Sequence, residues 1–582
     1  MAGSAPTTLE HLIFLYGKAE GRAAFSQLGG LLDQYRPRLP SPHRRRPTAD
    51  DSILITYPDM LRDADIPPLT ILGDFLAAHA RDRISAVHLL PFSPSSSDEG
   101  FSVVDYESVA PEFGTWEDIV RLSRDFRLMF DVVINHVSAH SEWFRRFLAG
   151  DPRYEDHFIV VDDGVDVSQV FRPRASPLLT PVETSRGEEL VWTTFSQDQM
   201  DLNYANPRVL LDMLEVILTY VVRGADFIRL DAIAYLWKEI GTPCIHLPQT
   251  HRLVQLIRAV LEEVAPQVLL ITETNVAHEE NITYFGDGTN EAHLIYNFAL
   301  PPLVLDAIHQ GDATTLSEWA ATLHLPSDRA TLFNFLASHD GIGILPARGI
   351  LSDQAIEAMA ERTQRLGGQV SYRANPDGSQ SPYELNINYL DALGDPEAPD
   401  EDPGELARRF LCAQGIMLAL RGVPGVYFHS LFGSRGWPEG PEETGVPRSI
   451  NRERLDRGQL ERELGDRAGL RNLVLRGHLS LLAARAAAGK AFDPYGDQEV
   501  VSIGPAIFAV LRRGPDGQDH ALCIHNVTGL VQEVQVALDG LAVASGRPLR
   551  DLITAEDYQA AGGSLSLNLA PYQAVWLLAG GP

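Results

Sequence analysis

Cysteine is scarce in this chain. Cys244, Cys412 and Cys523 are the three present in 582 residues, far apart and without metal-binding spacing. That excludes a disulfide scaffold and points to a reducing compartment, the cytoplasm. Positive charge is outweighed as well: 48 Lys and Arg face 78 Asp and Glu, a net charge of −30. Such a surface repels nucleic acid and anionic membranes, so neither is expected as a partner. An anionic substrate would need a local cationic pocket. No apolar run approaches the length of a membrane span. Met1 to Thr8 is polar and the apolar residues after it are interrupted by charges, so no secretory leader is expected. There is no internal repeat or low-complexity tract.

What is present is an ordinary globular composition, 45% hydrophobic and 22% charged, at a length that predicts a large domain with additions. Residues 1–45 read as a helical lead-in (LEHLIFLYG, FSQLGGLLDQY) ending in the basic run His43-Arg44-Arg45-Arg46, expected to be solvated surface. Short apolar runs then alternate with helical patterns: 53–57, 84–90, 128–134, 227–231, 268–273, 293–298, 332–338 and 424–428. Strands buried on both faces and separated by helices predict an α/β fold, a parallel (β/α)8 barrel, over 46–139, 201–347 and 403–491. Residues 140–200 read as a lid subdomain after the third strand. Residues 348–402 read as a second insertion ending in the Pro- and acid-rich GDPEAPDEDPGE. From 492 to 582 the pattern changes to alternating segments such as VVSIG and ALCIHNVT, an antiparallel β domain.

Function in such barrels collects at the C-terminal ends of the strands. Three of the runs end there in acids: Asp231 after Phe227-Ile-Arg-Leu, Glu273 after Leu269-Leu-Ile-Thr, and Asp340 after Ser338-His339. Arg229 and Asp231 are two apart on a strand and point the same way, so the guanidinium favours the ionised carboxylate. Alone, that pair would read as structural. Three acids at three strand ends instead match retaining glycosyl transfer. One carboxylate attacks the anomeric carbon and a carboxylic acid protonates the departing oxygen. Asp340 can stabilise the charge developing on the sugar ring.

With DVVINH (131–136), FIRLDA (227–232), Glu273 and SHD (338–340) in this order, the chain resembles the α-amylase superfamily. The resemblance implies Asp231 as nucleophile, Glu273 as general acid/base and Asp340 as transition-state stabiliser. Asn135, His136, Arg229 and His339 would shape the glucose subsite. In amylases the Asn of the first motif binds calcium; no complementary acids are evident here, and no metal or cofactor is expected. A further resemblance, to the sucrose-phosphorylase group, spans nearly the whole chain. It is carried by LITYPD (54–59), PFSPSSSDEGFSVVDY (91–106), RLDAIAY, FRPR (171–174), ASHDGIG, YELN (383–386), GVPGVYF and RSINR (448–452). It implies that Asp59 holds terminal hydroxyls of glucose, Tyr235 forms an apolar wall, and Gln199 and Arg448 bind glucose. Arg172 and Arg174 of the lid would meet phosphate, with Tyr383 and the YELN loop presenting acceptor-binding groups; the alternative, that both arginines tie the lid to the acidic body, stays open. Partners are therefore a small glucoside and inorganic phosphate. A homodimer is left open.

Four positions depart from the sucrose-specific pattern. Asn275 and Tyr106 stand where that pattern has histidines, Glu384 replaces a glutamine, and Ser381 replaces an aspartate. With RPRASPLLTP, ITETNVAHEENITYFG and SPYELNINYLDAL, they resemble the group's members that act on glucosylglycerate. Losing the aspartate at Ser381 suits an anionic acceptor, and Glu384 is expected on the glycerate hydroxyls. The competing expectations are a sucrose or glucosylglycerol phosphorylase, an α-glucoside hydrolase, and a non-enzymatic saccharide-binding module.

Overall fold

A computed structural model describes residues 7–41, 46–64, 66–174, 176–374, 379–398, 401–538 and 548–579. The predicted alternation is realised as a closed parallel barrel. Its strands are β1 (Ile53–Thr56), β2 (Ala86–Leu89), β3 (Arg127–Val133), β4 (Ala225–Asp231), β5 (Leu269–Thr272), β6 (Leu294–Tyr296), β7 (Thr331–Asn334) and β8 (Val423–Tyr427). Each pairs with its neighbours in chain order, and β1 closes onto β8 through Ile53 opposite Gly425. The strands are buried along almost their whole length because helices cover their outer faces. That double burial is why they read as continuous apolar runs.

The lead-in is a helix, Thr8–Tyr35, capped by Thr7 and Glu10 and bent at Gly17, whose φ of +76° and ψ of 173° interrupt the helical backbone. Its buried stripe packs on the helices Pro207–Val222 and Pro248–Val264. Of the basic run, positions 43–45 lie outside the described residues. Arg46 stacks on Tyr495, its guanidinium 3.7 Å from the ring centre.

The segment after β3 carries a helix, Glu142–Leu148, and a three-stranded antiparallel sheet of Val160–Val161, Gly187–Trp192 and Leu179–Thr184. It has its own small core of Val161, Val170, Leu178 and Trp192, which Cys244 completes from the barrel side. After β7, the strands Gln369–Ala374 and Gln380–Asn386 form a hairpin paired with Ile342–Gly343. The C-terminal part is a six-stranded sheet, antiparallel at every pairing, with a separate two-stranded ribbon over its own apolar core.

Candidate active site

Below the mouth of the barrel runs a line of buried charge. Register places Arg229 of β4 opposite Asp131 of β3. His88 Nε2 lies 2.7 Å from Asp131 Oδ2, and the Arg229 guanidinium donates to the other oxygen of the same carboxylate. Burial pushes the Asp131 carboxyl up, but Arg229 and then His88 outweigh it and hold the pKa down to about 2. Arg229 is thereby anchored from beneath. Its Nη1 donates to Asp231 Oδ1 at 2.9 Å, while Nη2 stays 3.9 Å from Glu273 Oε2.

Immediately after Asp231 the backbone of Ala232 is left-handed, φ +51°. A residue with a Cβ pays for that conformation. What it gains is an N–H aimed at Glu273 Oε2, 3.1 Å away. Burial raises both the Asp231 and the Glu273 carboxyls, and the neighbouring acids add to the rise while Arg229 opposes it. The pair therefore keeps one proton that exposed carboxylates would lose. Arg229 makes a direct hydrogen bond to Asp231 and only a distant approach to Glu273, so of the two carboxyls it favours the ionised form of Asp231 more. Asp340 stands apart. Burial raises it, but Arg448, with Nη1 2.5 Å from Oδ1, pulls it well below the usual carboxylate range.

These three carboxylates line one cavity of about 690 Å3, measured out to its mouth. Of the residues singled out in the sequence, His136, Gln199, Arg229, Tyr235, Asn275, His339, Tyr383, Arg448 and Arg174 line the same cavity. His339 stacks on Phe101 with ring centres 5.0 Å apart, and burial lowers its pKa to about 3, so it is a neutral donor or acceptor. His136 Nε2 lies 2.9 Å from the Phe101 carbonyl. Tyr383 sits where the hairpin register slips between Ser371 and Tyr372, a bulge of the kind that turns a side chain toward a site. The Asn275 carbonyl oxygen is buried without a hydrogen-bond partner.

Four of the expected residues do not line the cavity. Asp59 is buried outside the cavity lining, held by Arg454 Nε at 3.1 Å and by Arg62 at 2.9 Å. Tyr106 also lies outside it; its hydroxyl donates to the Val133 carbonyl at 2.6 Å behind the cavity. Arg172 turns back to the Ser176 carbonyl, leaving Arg174 as the lid arginine that reaches the cavity. Glu384 is 1% exposed and gives both oxygens to Arg448.

The sequence reading passed over Asp98, Phe101, Phe195 and Pro173, which all line the cavity. Asp98 and Glu99 adopt left-handed φ of +52° and +46°, which brings the Asp98 carboxylate to Gln199 Nε2 at 3.1 Å. The signal was the acid-acid-glycine turn inside a stretch already noted, SSSDEGF. Asn135 is not at the sugar cavity either. Its side-chain oxygen accepts from Lys238 Nζ at 2.8 Å, and the same ammonium lies 2.6 Å from Asp201. A lysine thus fills the position between two oxygen ligands where a cation could sit. Among the described residues no group of three or more His, Cys, Asp or Glu side chains is arranged to hold a metal.

Three carboxylates, aromatic rings and a lid arginine around one cavity suit the class of barrel enzymes that act on glucosides. The family model of the α-amylase catalytic domain matches residues 83–347. The glucosylglycerate phosphorylase of Spirochaeta thermophila is 51% identical over 98% of this chain and 97% of its own. That of Allomeiothermus silvanus is 47% identical over 98% of each chain. Among solved structures, the sucrose 6F-phosphate phosphorylase of Thermoanaerobacter thermosaccharolyticum superposes with a TM-score of 0.70 at 26% identity, covering 82% of this chain and 94% of that one. The chain belongs to the α-amylase family, in the branch of the glucosylglycerate phosphorylases.

Proposed function

We propose that this protein is a glucosylglycerate phosphorylase, converting 2-O-α-D-glucosyl-D-glycerate and phosphate reversibly to α-D-glucose 1-phosphate and D-glycerate with retention. The observation that carries the reading is the pairing of a three-carboxylate cavity with a lid arginine, Arg174, on its wall. The near whole-length identity to named phosphorylases of that specificity supports it.

Asp231, ionised beside Arg229, attacks the anomeric carbon as the bond to glycerate oxygen breaks. Glu273 gives its proton to that oxygen, and D-glycerate leaves. Asp340, kept charged by Arg448, faces the positive charge that builds on the ring. The glucosyl group is then an ester of Asp231. Phosphate held at Arg174 attacks the same carbon, giving its proton to Glu273 and freeing Asp231. Two inversions leave the α configuration. Asp98, Gln199 and His339 bind glucose hydroxyls and Phe101, Phe195 and Tyr235 cover its apolar faces in this reading, which their shared place in the cavity lining supports. Water competes with phosphate unless the lid excludes it and holds the anion in place.

The three cysteines are unpaired and buried, which suits the reducing cytoplasm. Among the described residues no helix is long and apolar enough to cross a membrane.

Incubation with glucosylglycerate and phosphate should release glucose 1-phosphate and D-glycerate in equal amounts. Turnover of only sucrose or glucosylglycerol would overturn the acceptor. Free glucose formed equally fast with and without phosphate would make the protein a hydrolase.

A further inference from the structure

A phosphorylase acting on a glucoside of glycerate handles two anions, and Arg174 can serve one of them. Two more guanidiniums stand close to Tyr383 but outside the cavity lining: Arg373 on the hairpin and Arg348 on the loop before it. Register places Arg373 opposite Ser381. Arg348 Nη2 donates to the carbonyl of Pro382 at 3.3 Å, one residue before Tyr383, which lines the cavity. Both arginines are half-buried. Among the described residues neither meets a carboxylate within 4.0 Å, and the Nε of each is buried without a hydrogen-bond partner.

Three other arginines around this site each meet two carboxylates. Arg229 has Asp131 and Asp231, Arg448 has Asp340 and Glu384, and Arg454 has Asp59 and Glu99. In a chain of net charge −30, counter-ions are not short. Burial lowers the Arg373 pKa, the positive charge of Arg348 lowers it further, and Tyr383 opposes. Desolvated guanidiniums that repel each other and meet no carboxylate among the described residues are costly to keep. The cost vanishes when an anion bridges them, and a carboxylate fits the planar donor face of arginine.

We propose that Arg348 and Arg373 form an acceptor subsite for the carboxylate of D-glycerate, beside Tyr383 and apart from the phosphate arginine of the lid. The absence of an acid at Ser381 is part of it, since a carboxylate opposite Arg373 would already occupy the guanidinium. The unpaired Asn275 oxygen on the cavity wall accepts from a hydroxyl of the same small acid. This inference rests on the reading of the protein as a glucosylglycerate phosphorylase.

The test uses the full chain and runs in the synthetic direction, from α-glucose 1-phosphate, with D-glycerate and with uncharged glycerol as acceptors. In Arg373→Ala and Arg348→Ala the ratio of kcat/KM for D-glycerate to that for glycerol should fall at least tenfold. The KM for phosphate in the reverse reaction should move less than twofold, and Arg373→Lys should recover part of the ratio. Arg174→Ala should do the opposite, raising the KM for phosphate. An unchanged ratio in the double variant Arg348→Ala/Arg373→Ala overturns the subsite, as does a rise in phosphate KM that equals the loss for glycerate. Should an alanine variant not fold, Arg373→Gln and Arg348→Gln carry the same readout. If the unaltered enzyme makes no glucosylglycerate at all, the functional reading fails, a result distinct from failure of the subsite.

Discussion

Arg448 grips Glu384 with both arms of its guanidinium, Nε to Oε1 at 2.8 Å and Nη2 to Oε2 at 2.5 Å, and still reaches Asp340 with Nη1. Glu384 thus sits against Arg448, which lines the cavity. Breaking a buried pair by removing one partner typically costs about 3–5 kcal/mol.

Glu384→Ala should therefore lower kcat/KM for every donor, glucose 1-phosphate included, by about tenfold or more, about 1.4 kcal/mol per decade. The KM for D-glycerate should change less than the KM for the donor. Glu384→Gln, which keeps one acceptor oxygen, should lose less. Steady-state kinetics with varied donor and acceptor read the split; a loss confined to the acceptor KM would return Glu384 to the acceptor side.

The shared proton of Asp231 and Glu273 sets the pH profile. Both carboxyls are raised, by burial first. Activity should rise with pH as Asp231 ionises and fall as Glu273 loses its proton, both limbs lying above the ordinary carboxyl range. Glu273→Gln should remove the basic limb and slow phosphorolysis by about 10²–10⁴, the usual worth of a general acid. A donor whose leaving group needs no proton should be spared most of that loss. A basic limb that survives in Glu273→Gln would place the proton elsewhere.

Stability should fall in mild acid. His309, His339 and His429 are pushed down to about 3 and His293, His478 and His525 to about 4, each by burial. Each is neutral in the fold but charges in the unfolded chain below about 6.5. The unfolded state then binds more protons, so stability is complete above that pH and is lost as pH falls. Each histidine contributes up to about 1.4 kcal/mol per pH unit between its two values. Melting temperature should be flat from pH 7 to 8 and drop steeply from 6 to 4.5, read by calorimetry or fluorescence.

Lys238 stands between Asn135 and Asp201 as an internal cation, and its pKa is lowered by burial against the pull of Asp201. Lys238→Met leaves Asp201, which is 0% exposed, uncompensated, so the melting temperature should fall by several degrees. Chelators should leave activity and melting temperature of the unaltered enzyme unchanged. Activity restored to Lys238→Met by calcium would show that the oxygen ligands still accept a metal.

The barrel was legible because its strands are apolar on both faces, and the carboxylates Asp231, Glu273 and Asp340 because they close three of those runs. What was not legible depended on pairings across the chain. Asp59 looked free to bind sugar, but Arg454, 395 residues away, claims it. Glu384 gives both oxygens to Arg448, 64 residues on, a pairing that local pattern does not carry. Asp98 was hidden for the opposite reason: a left-handed turn, which residue type barely signals, carries it into the cavity. Local pattern located the strand ends; the nonlocal ion pairs decided which charges remain for a ligand.

The account stands on a glucosyl ester of Asp231 that phosphate, and not water, resolves. Peptide mass spectrometry of enzyme quenched during turnover of glucosylglycerate without phosphate tests it most directly. One glucosyl residue on the peptide carrying Asp231, discharged to α-glucose 1-phosphate when phosphate is added, is the expected result. A glucosyl group on another residue, or an unlabelled protein that still yields β-glucose 1-phosphate, would contradict it.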